Sequence, residues 1–152
     1  MPPLRLGSDL PSFAGATGWY NGDAATVDSM KGPKLVHFWA VSCYLCKNNL
    51  PKLAAWREKY APKGLSFIAV HMPRQDGDTD QVAVEKALGD FQISEVCAVD
   101  NDHQLKDAFG NDQTWVPLYF LYDSEGKLKS RAAGENGVAI IATALEKMFE
   151  SN

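Results

Sequence analysis

The stretch Lys34-Leu-Val-His-Phe-Trp-Ala-Val-Ser-Cys43-Tyr-Leu-Cys46-Lys47 joins an apolar run to two cysteines three positions apart. The run Leu35–Trp39 is typical of a strand that is buried on both faces. The cysteines follow where a helix is expected to begin. Such a pair can close a small disulfide, and the N-terminus of a helix favours a thiolate. The stretch therefore predicts a strand, a turn and a helix that together carry a reactive dithiol.

Composition favours one ordinary globular domain over residues 1–152, because the chain is 45% hydrophobic and 22% charged and is long enough for a full core. Its net charge of −4 gives no reason to expect binding to nucleic acid or to an anionic membrane. No segment predicts a transmembrane helix, and the N-terminal residues lack the pattern of a secretory signal. We therefore expect a cytoplasmic protein. An extracytoplasmic location is the alternative if a signal or anchor has been removed.

The three cysteines do not form a structural disulfide framework, since Cys97 stands alone. Lys47 rather than histidine follows Cys46, which excludes covalent haem attachment through this motif. Zinc needs about four ligands, and the remaining candidates, Cys97, His71 and His103, lack the spacing of a metal site. The cysteines therefore favour a redox dithiol with no metal and no other cofactor.

The rest of the sequence predicts alternating strands and helices. We expect a long helix from Cys43 to Tyr60, kinked at Pro51, and loops with short extended pieces over residues 11–31. The other predicted elements are strands at Leu65–His71 and Glu95–Val99, a loop at Gln75–Asp80, helices at Gln81–Gly89 and His103–Phe109, a hairpin of Leu118–Tyr122 with Lys127–Ala132, and a C-terminal helix over Val138–Phe149.

This order of elements resembles the thioredoxin fold. The segment Phe38–Lys47 is similar to the thioredoxin active-site segment, Pro51 falls where that family kinks its helix, and Thr114–Phe120 is similar to the segment that holds its cis-proline. The motif Gly-x-x-Leu-Pro-x-Phe at 7–13 and the extra residues before Cys97 are more similar to the TlpA/ResA branch. The resemblance implies an α/β fold with a central mixed β-sheet flanked by helices, an N-terminal extension and a central insertion.

The resemblance also implies a thiol-disulfide oxidoreductase that reduces disulfides in protein substrates. Cys43 would attack the substrate, and Cys46 would resolve the mixed disulfide. A dithiol donor of unknown identity would return the electrons, and we expect the enzyme to be a monomer. The expected substrate-binding residues are Trp39, Tyr44, Val116 and Pro117.

Two positions depart from the family pattern. His37 stands where thioredoxin carries a buried acid beneath the cysteines. We hypothesise that it accepts the proton of Cys46, since an imidazole is suited to that task near neutral pH. The alternative is a hydrogen-bonded core histidine. Asn49 occupies the position at which the branch usually carries an acid, so acid-assisted specificity is not expected from that position.

Other functions remain as alternatives. A peroxidase of the peroxiredoxin type is disfavoured, because that chemistry uses a threonine three residues before the reactive cysteine, and the chain has Ala40 at this position. A non-enzymatic thioredoxin-like binding module would have no need of both cysteines. An extracytoplasmic reductase that serves cytochrome c maturation is a further alternative, since the sequence does not identify a substrate.

Overall fold

Within residues 4–150, which the computed structural model describes, a six-stranded mixed sheet forms the centre of the fold. The strand order is β1-β4-β3-β2-β5-β6. Strands β2, β3 and β4 run parallel, and the other neighbours pair antiparallel. The predicted mixed sheet is therefore confirmed. The strands are β1 (Gly18–Tyr20), β2 (Lys34–Trp39), β3 (Ser66–His71), β4 (Val96–Val99), β5 (Leu118–Tyr122) and β6 (Leu128–Ala133).

Helices cover both faces of the sheet. They are α1 (Ala24–Asp28), α2 (Tyr44–Asn48), α3 (Leu50–Tyr60), α4 (Gln81–Asp90), α5 (Gln104–Ala108) and α6 (Gly137–Glu150), with short 3₁₀ helices at Ala61–Lys63 and Asp76–Thr79. None of the helices in residues 4–150 is both long enough and apolar enough to span a bilayer.

Strand β2 lies at the middle of the core and is buried at every position. Its side chains alternate between the two faces. Val36 and Phe38 belong to the cluster that packs with α1 and α5. Leu35 belongs to the cluster under α3 and α6, and Trp39 to a third cluster that contains both active-site cysteines. The end of β2, from which the dithiol starts, is thus held from both sides.

The N-terminal extension and the insertion together build one edge of the sheet. We define the insertion as residues 72–99, which follow β3 and contain α4 and β4. Strand β1 from the extension pairs antiparallel with β4, and Trp19 lies opposite Ala98. The predicted N-terminal extension and central insertion are therefore joined to each other in the sheet.

The predicted single helix from Cys43 to Tyr60 is two helices, α2 and α3, that meet at Asn49. Proline has no N–H to donate, and its ring clashes with the carbonyl four residues earlier, so it is tolerated only in the first turn of a helix. Pro51 accordingly occupies the first turn of α3. The prediction placed the break correctly near the proline but was wrong about its extent.

Two segments that were predicted to be loops are more ordered. Residues 11–31 contain β1 and α1, and α1 begins at a capping box in which the Asp23 side chain accepts from the Thr26 N–H while the Thr26 hydroxyl accepts from the Asp23 N–H. The segment Gln75–Asp80 contains the 3₁₀ helix Asp76–Thr79. Strand β1, helix α1 and this 3₁₀ helix are all short, so a periodicity test over many residues misses them.

The neighbouring isoleucines of α6 offer a matched test of this packing. Ile141 is 0% exposed beneath the sheet, whereas Ile140 is 53% exposed. We expect Ile141→Ala to lower the free energy of unfolding by about 2–5 kcal/mol, because it leaves a cavity. Ile140→Ala should change it by no more than about 0.5 kcal/mol. Urea unfolding of both variants measures the difference, and equal losses would contradict the assigned face of α6.

Candidate active site

The two cysteines form a disulfide at the start of α2. Their Cα atoms are 5.3 Å apart. Cys43 is the N-terminal cap of the helix, and the backbone N–H of Cys46 donates to its sulfur at 3.0 Å. A hydrogen bond to the charged form of a group favours that form. The helix geometry therefore favours a thiolate on Cys43 once the disulfide is reduced.

The two cysteines are almost equally inaccessible in the disulfide form, in which Cys43 is 3% and Cys46 is 4% exposed. What separates them is the space that each one borders. A groove of about 400 Å³ between the active-site turn and α4 reaches Cys43, whereas Cys46 borders a separate small cavity beneath the turn. A substrate approaching through the groove meets Cys43 first.

The predicted substrate-binding residues do not all lie at the surface. Tyr44 is 74% exposed and lines the groove beside Cys43. Val116 is half-buried against the cluster that holds both cysteines, and Pro117 follows it through a cis peptide bond. Trp39 is only 1% exposed in this structure, and its contact with substrate stays a prediction. The alternation of β2 turns Trp39 inward, where its ring lies 5.1 Å from that of Phe91.

Trp115 is an exposed aromatic residue beside the cis-proline that sequence reasoning did not assign to the site. The buried side chain of Asn111 holds its backbone by two bonds: its amide donates to the Trp115 carbonyl, and its oxygen accepts from the Trp115 N–H, both at 2.9 Å. The loop before Val116 is therefore held from inside the protein, and it presents Trp115 outward.

The insertion holds the turn that precedes Cys43. The buried carboxylate of Asp78 accepts from the Ser42 hydroxyl at 2.7 Å and from the Arg74 N–H at 2.9 Å. His71 Nε2 accepts from the Val41 N–H at 3.2 Å. Burial lowers the pKa of His71 to about 4 despite the opposing charge of Asp78, so its ring is neutral at neutral pH and can accept this bond. The segment that was predicted to be a solvated loop thus supports the active site.

A buried row of charged groups lies beneath the dithiol. His37 Nε2 is 2.5 Å from Glu95 Oε2, and Arg57 Nη2 donates to both oxygens of Glu95 at 2.8 Å. Burial alone would raise the pKa of Glu95, but the hydrogen bonds and charges of His37 and Arg57 outweigh it and lower that pKa to about 2. Glu95 is therefore ionised at neutral pH.

Sequence reasoning missed both Glu95 and Arg57. It considered only the position of Asn49, where the branch usually carries an acid, and there the amide donates to the Tyr119 hydroxyl at 2.8 Å. The acid comes from the residue before β4, and the arginine comes from α3. No spacing rule links these positions, because only the tertiary fold brings them to His37.

His37 and Cys46 border the same small cavity, which has a volume of about 10 Å³. A cavity of about this size holds roughly one water molecule. The imidazole and the second cysteine therefore line one cavity beneath the active-site turn.

The Redoxin family model matches residues 5–145. The chain belongs to the Redoxin family. It is 34% identical over 148 residues to the thiol-disulfide oxidoreductase YkuV of Bacillus subtilis, covering 96% of this chain and 97% of that protein. The solution structure of a thioredoxin-like protein in the oxidized form matches with a TM-score of 0.84 and 32% identity, over 98% of this chain and 99% of that one.

The crystal structure of a putative thiol:disulfide interchange protein DsbE from Chlorobium tepidum matches with a TM-score of 0.75 and 25% identity over 97% of both chains. The predicted thioredoxin-like fold is therefore confirmed, as is the predicted class, a thiol-disulfide oxidoreductase. The roles of individual residues, the substrates and the compartment stay predictions.

The Glu95 carboxylate gives this Redoxin member a testable acid sensitivity. Its pKa falls from 4.5 to about 2 on folding, so its ionisation stabilises the folded state above about pH 4.5, and this contribution is lost as the pH falls toward about 2. We expect Glu95→Gln to destabilise the protein near neutral pH and the difference from wild type to shrink in acid. Urea unfolding across this range measures it.

The matched control is Glu58→Gln, which removes an exposed carboxylate beside Arg57 on α3. It should leave the pH dependence of unfolding close to that of the wild-type protein. A constant difference between Glu95→Gln and wild type at every pH would show that the charge of Glu95 is not linked to folding.

Proposed function

We propose that the protein reduces disulfides in protein substrates, with Cys43 as the nucleophile and Cys46 as the resolving thiol. The observation that carries this proposal is the dithiol at the start of α2, with the groove opening on Cys43 and the N–H of Cys46 donating to its sulfur. A thiolate is the attacking species in disulfide exchange.

The reaction balances with the groups of this site. The Cys43 thiolate attacks one sulfur of the substrate disulfide, whose S–S bond breaks, and the first substrate thiolate leaves with the electron pair. The Cys46 thiolate then attacks Cys43 Sγ, the second substrate thiolate leaves, and the Cys43–Cys46 disulfide forms. Two electrons pass to the substrate, whose thiolates take up protons. A dithiol donor reduces the enzyme again by the reverse exchange.

Substrate recognition is proposed to use the groove and the cis-proline loop. The groove has an apolar floor that includes Val41 and Phe91, and Tyr44 stands exposed beside it. An extended substrate segment would pair with the backbone at Val116, before Pro117, in the way that a strand adds to an edge.

His37 is proposed to accept the proton that Cys46 loses before it attacks. The imidazole shares the small cavity with Cys46. A neutral imidazole is a suitable base near neutral pH. The alternative interpretation, a paired core histidine, also requires a hydrogen bond such as the one to Glu95. The two interpretations therefore differ only in whether a proton moves from Cys46 to His37.

We further propose that the protein works as a single-domain monomer in the cytoplasm. An odd number of cysteines in the sequence, with Cys97 buried and outside the disulfide, fits a compartment in which thiols stay reduced.

Substitution of each cysteine tests the assigned order of attack. We expect Cys46→Ser to accumulate a mixed disulfide with a substrate protein, because nothing resolves it, and Cys43→Ser to form none and to lose disulfide reductase activity. Mass spectrometry of the trapped adducts and reduction of a disulfide-bonded substrate such as insulin measure both results.

Cys97→Ser is the matched control. Its thiol is fully buried in β4 and lies outside the disulfide, and burial raises its pKa to about 12. It should retain full activity. An adduct on Cys43→Ser, or none on Cys46→Ser, would reverse or remove the proposed roles.

The role of His37 is tested by the pH dependence of resolution. Reduced protein releases two coloured thiolates from the aromatic disulfide dithiobis-nitrobenzoate, the first when Cys43 attacks and the second when Cys46 resolves. We expect His37→Ala and His37→Gln to slow the second release by at least about tenfold and to change its pH profile. Glutamine keeps a donor for Glu95 but cannot accept a proton. An unchanged profile in both variants would mean that His37 is only a paired core residue.

A further inference from the structure

We propose that Glu95, held in place by Arg57, is a positioning residue that selects the tautomer of His37 used for proton transfer from Cys46. This inference rests on the proposed function, because it assigns a regulator to the proposed base. The row Arg57, Glu95, His37 runs from α3 across the start of β4 to the middle of β2.

The direction of one hydrogen bond decides the tautomer. An ionised carboxylate can only accept hydrogen bonds. His37 Nε2 lies 2.5 Å from Glu95 Oε2, so Nε2 carries the hydrogen and donates it. A neutral imidazole has a hydrogen on only one of its nitrogens. When the His37 ring is neutral, its lone pair is therefore on Nδ1, and this atom is then the one that can accept a proton.

Arg57 keeps the carboxylate in its acceptor form. Its Nη2 donates to both oxygens of Glu95 at 2.8 Å, while the Glu95 side chain is only 7% exposed. The guanidinium also lies over the ring of Phe67, 5.4 Å from its centroid, which restrains it. A buried carboxylate without such a partner tends to take up a proton, and a protonated Glu95 could donate to Nε2 and reverse the tautomer.

The proton step then balances within the site. The Cys46 S–H gives its proton across the shared cavity to His37 Nδ1, which leaves a Cys46 thiolate and an imidazolium. The imidazolium is paired with Glu95. The thiolate attacks Cys43 Sγ in the mixed disulfide, and the departing substrate thiolate takes the electron pair. His37 afterwards releases the proton to that thiolate or to solvent.

Other titratable groups near His37 stay neutral through the working range. Tyr119 on β5 lies opposite His37 in the register, and Cys97 on β4 lies in the same row beyond Ala69. Burial raises the pKa of each to about 12. The permanent charges facing His37 from the packed elements described in residues 4–150 are therefore those of Glu95 and Arg57, with Cys46 as the proton donor.

The test follows both thiolate releases from dithiobis-nitrobenzoate as a function of pH in the full chain. We expect Glu95→Gln to slow the second release by at least about tenfold and to move its midpoint to lower pH, because removal of the anion disfavours the imidazolium. Arg57→Gln should also move the midpoint to lower pH, because the buried Glu95 without its cation tends to take up a proton. Arg57→Lys keeps the cation and should stay near the wild-type midpoint.

The same downward shift in Glu95→Gln and Arg57→Gln, absent from Arg57→Lys, separates positioning from simple damage, which would slow the reaction without a directed shift. In the His37→Gln background, Glu95→Gln should add no further change, since its effect passes through the imidazole. The ¹⁵N chemical shifts of the ring give a direct readout: the Nε2–H tautomer in wild type, and a mixture of tautomers in Glu95→Gln.

The outcomes distinguish this inference from the proposed function beneath it. If the reduced wild-type protein does not release the first thiolate from dithiobis-nitrobenzoate, the dithiol mechanism itself fails. If both releases occur but Glu95→Gln leaves the second unchanged, or if its effect persists in the His37→Gln background, the positioning role is overturned while the roles of the cysteines stand.

Discussion

The structure depends on the complete burial of β2. This strand has a partner on each edge and a packed cluster on each face, so the position at which it ends is set by the whole core. That end places Cys43 at the start of α2. The same burial means that His37, in the middle of the strand, needs a hydrogen-bond partner, because a buried polar group without one costs about 1–3 kcal/mol. Glu95 is that partner, and Arg57 is in turn the partner of Glu95.

The insertion supplies a carboxylate on each side of the dithiol. Asp78 lies on the groove side and holds Ser42, the residue before Cys43. Glu95 lies beneath the dithiol and contacts His37, which shares a cavity with Cys46. In the proposed mechanism, the insertion thus influences the nucleophile Cys43 through the turn and the resolving thiol Cys46 through the base His37. Because β4 of the insertion pairs with β3 and β1, both carboxylates are carried by a segment that is bound into the sheet.

The sequence was sufficient for features that depend on local patterns. Three such patterns are the apolar run of β2, the spacing of Cys43 and Cys46, and the helical periodicity of α6. Each can be recognised within one short segment of the sequence. Features set by distant residues were not predictable. Trp39 is buried beside Phe91, and the acid that contacts His37 is Glu95, which no local pattern in the sequence links to it. In each case the deciding partner comes from the insertion, far along the chain.

The row of charges explains how a histidine can take a place beneath the cysteines that the thioredoxin resemblance assigns to an acid. With a neutral imidazole, Glu95 and Arg57 balance each other, so the buried row carries no net charge. In the proposed step, transfer of a proton from Cys46 to His37 creates an anion and a cation together, and the net charge beneath the dithiol does not change. A new charge in an apolar interior is costly unless it is paired. The imidazolium has Glu95 as its partner from the moment it forms, whereas the thiolate is consumed as the disulfide closes.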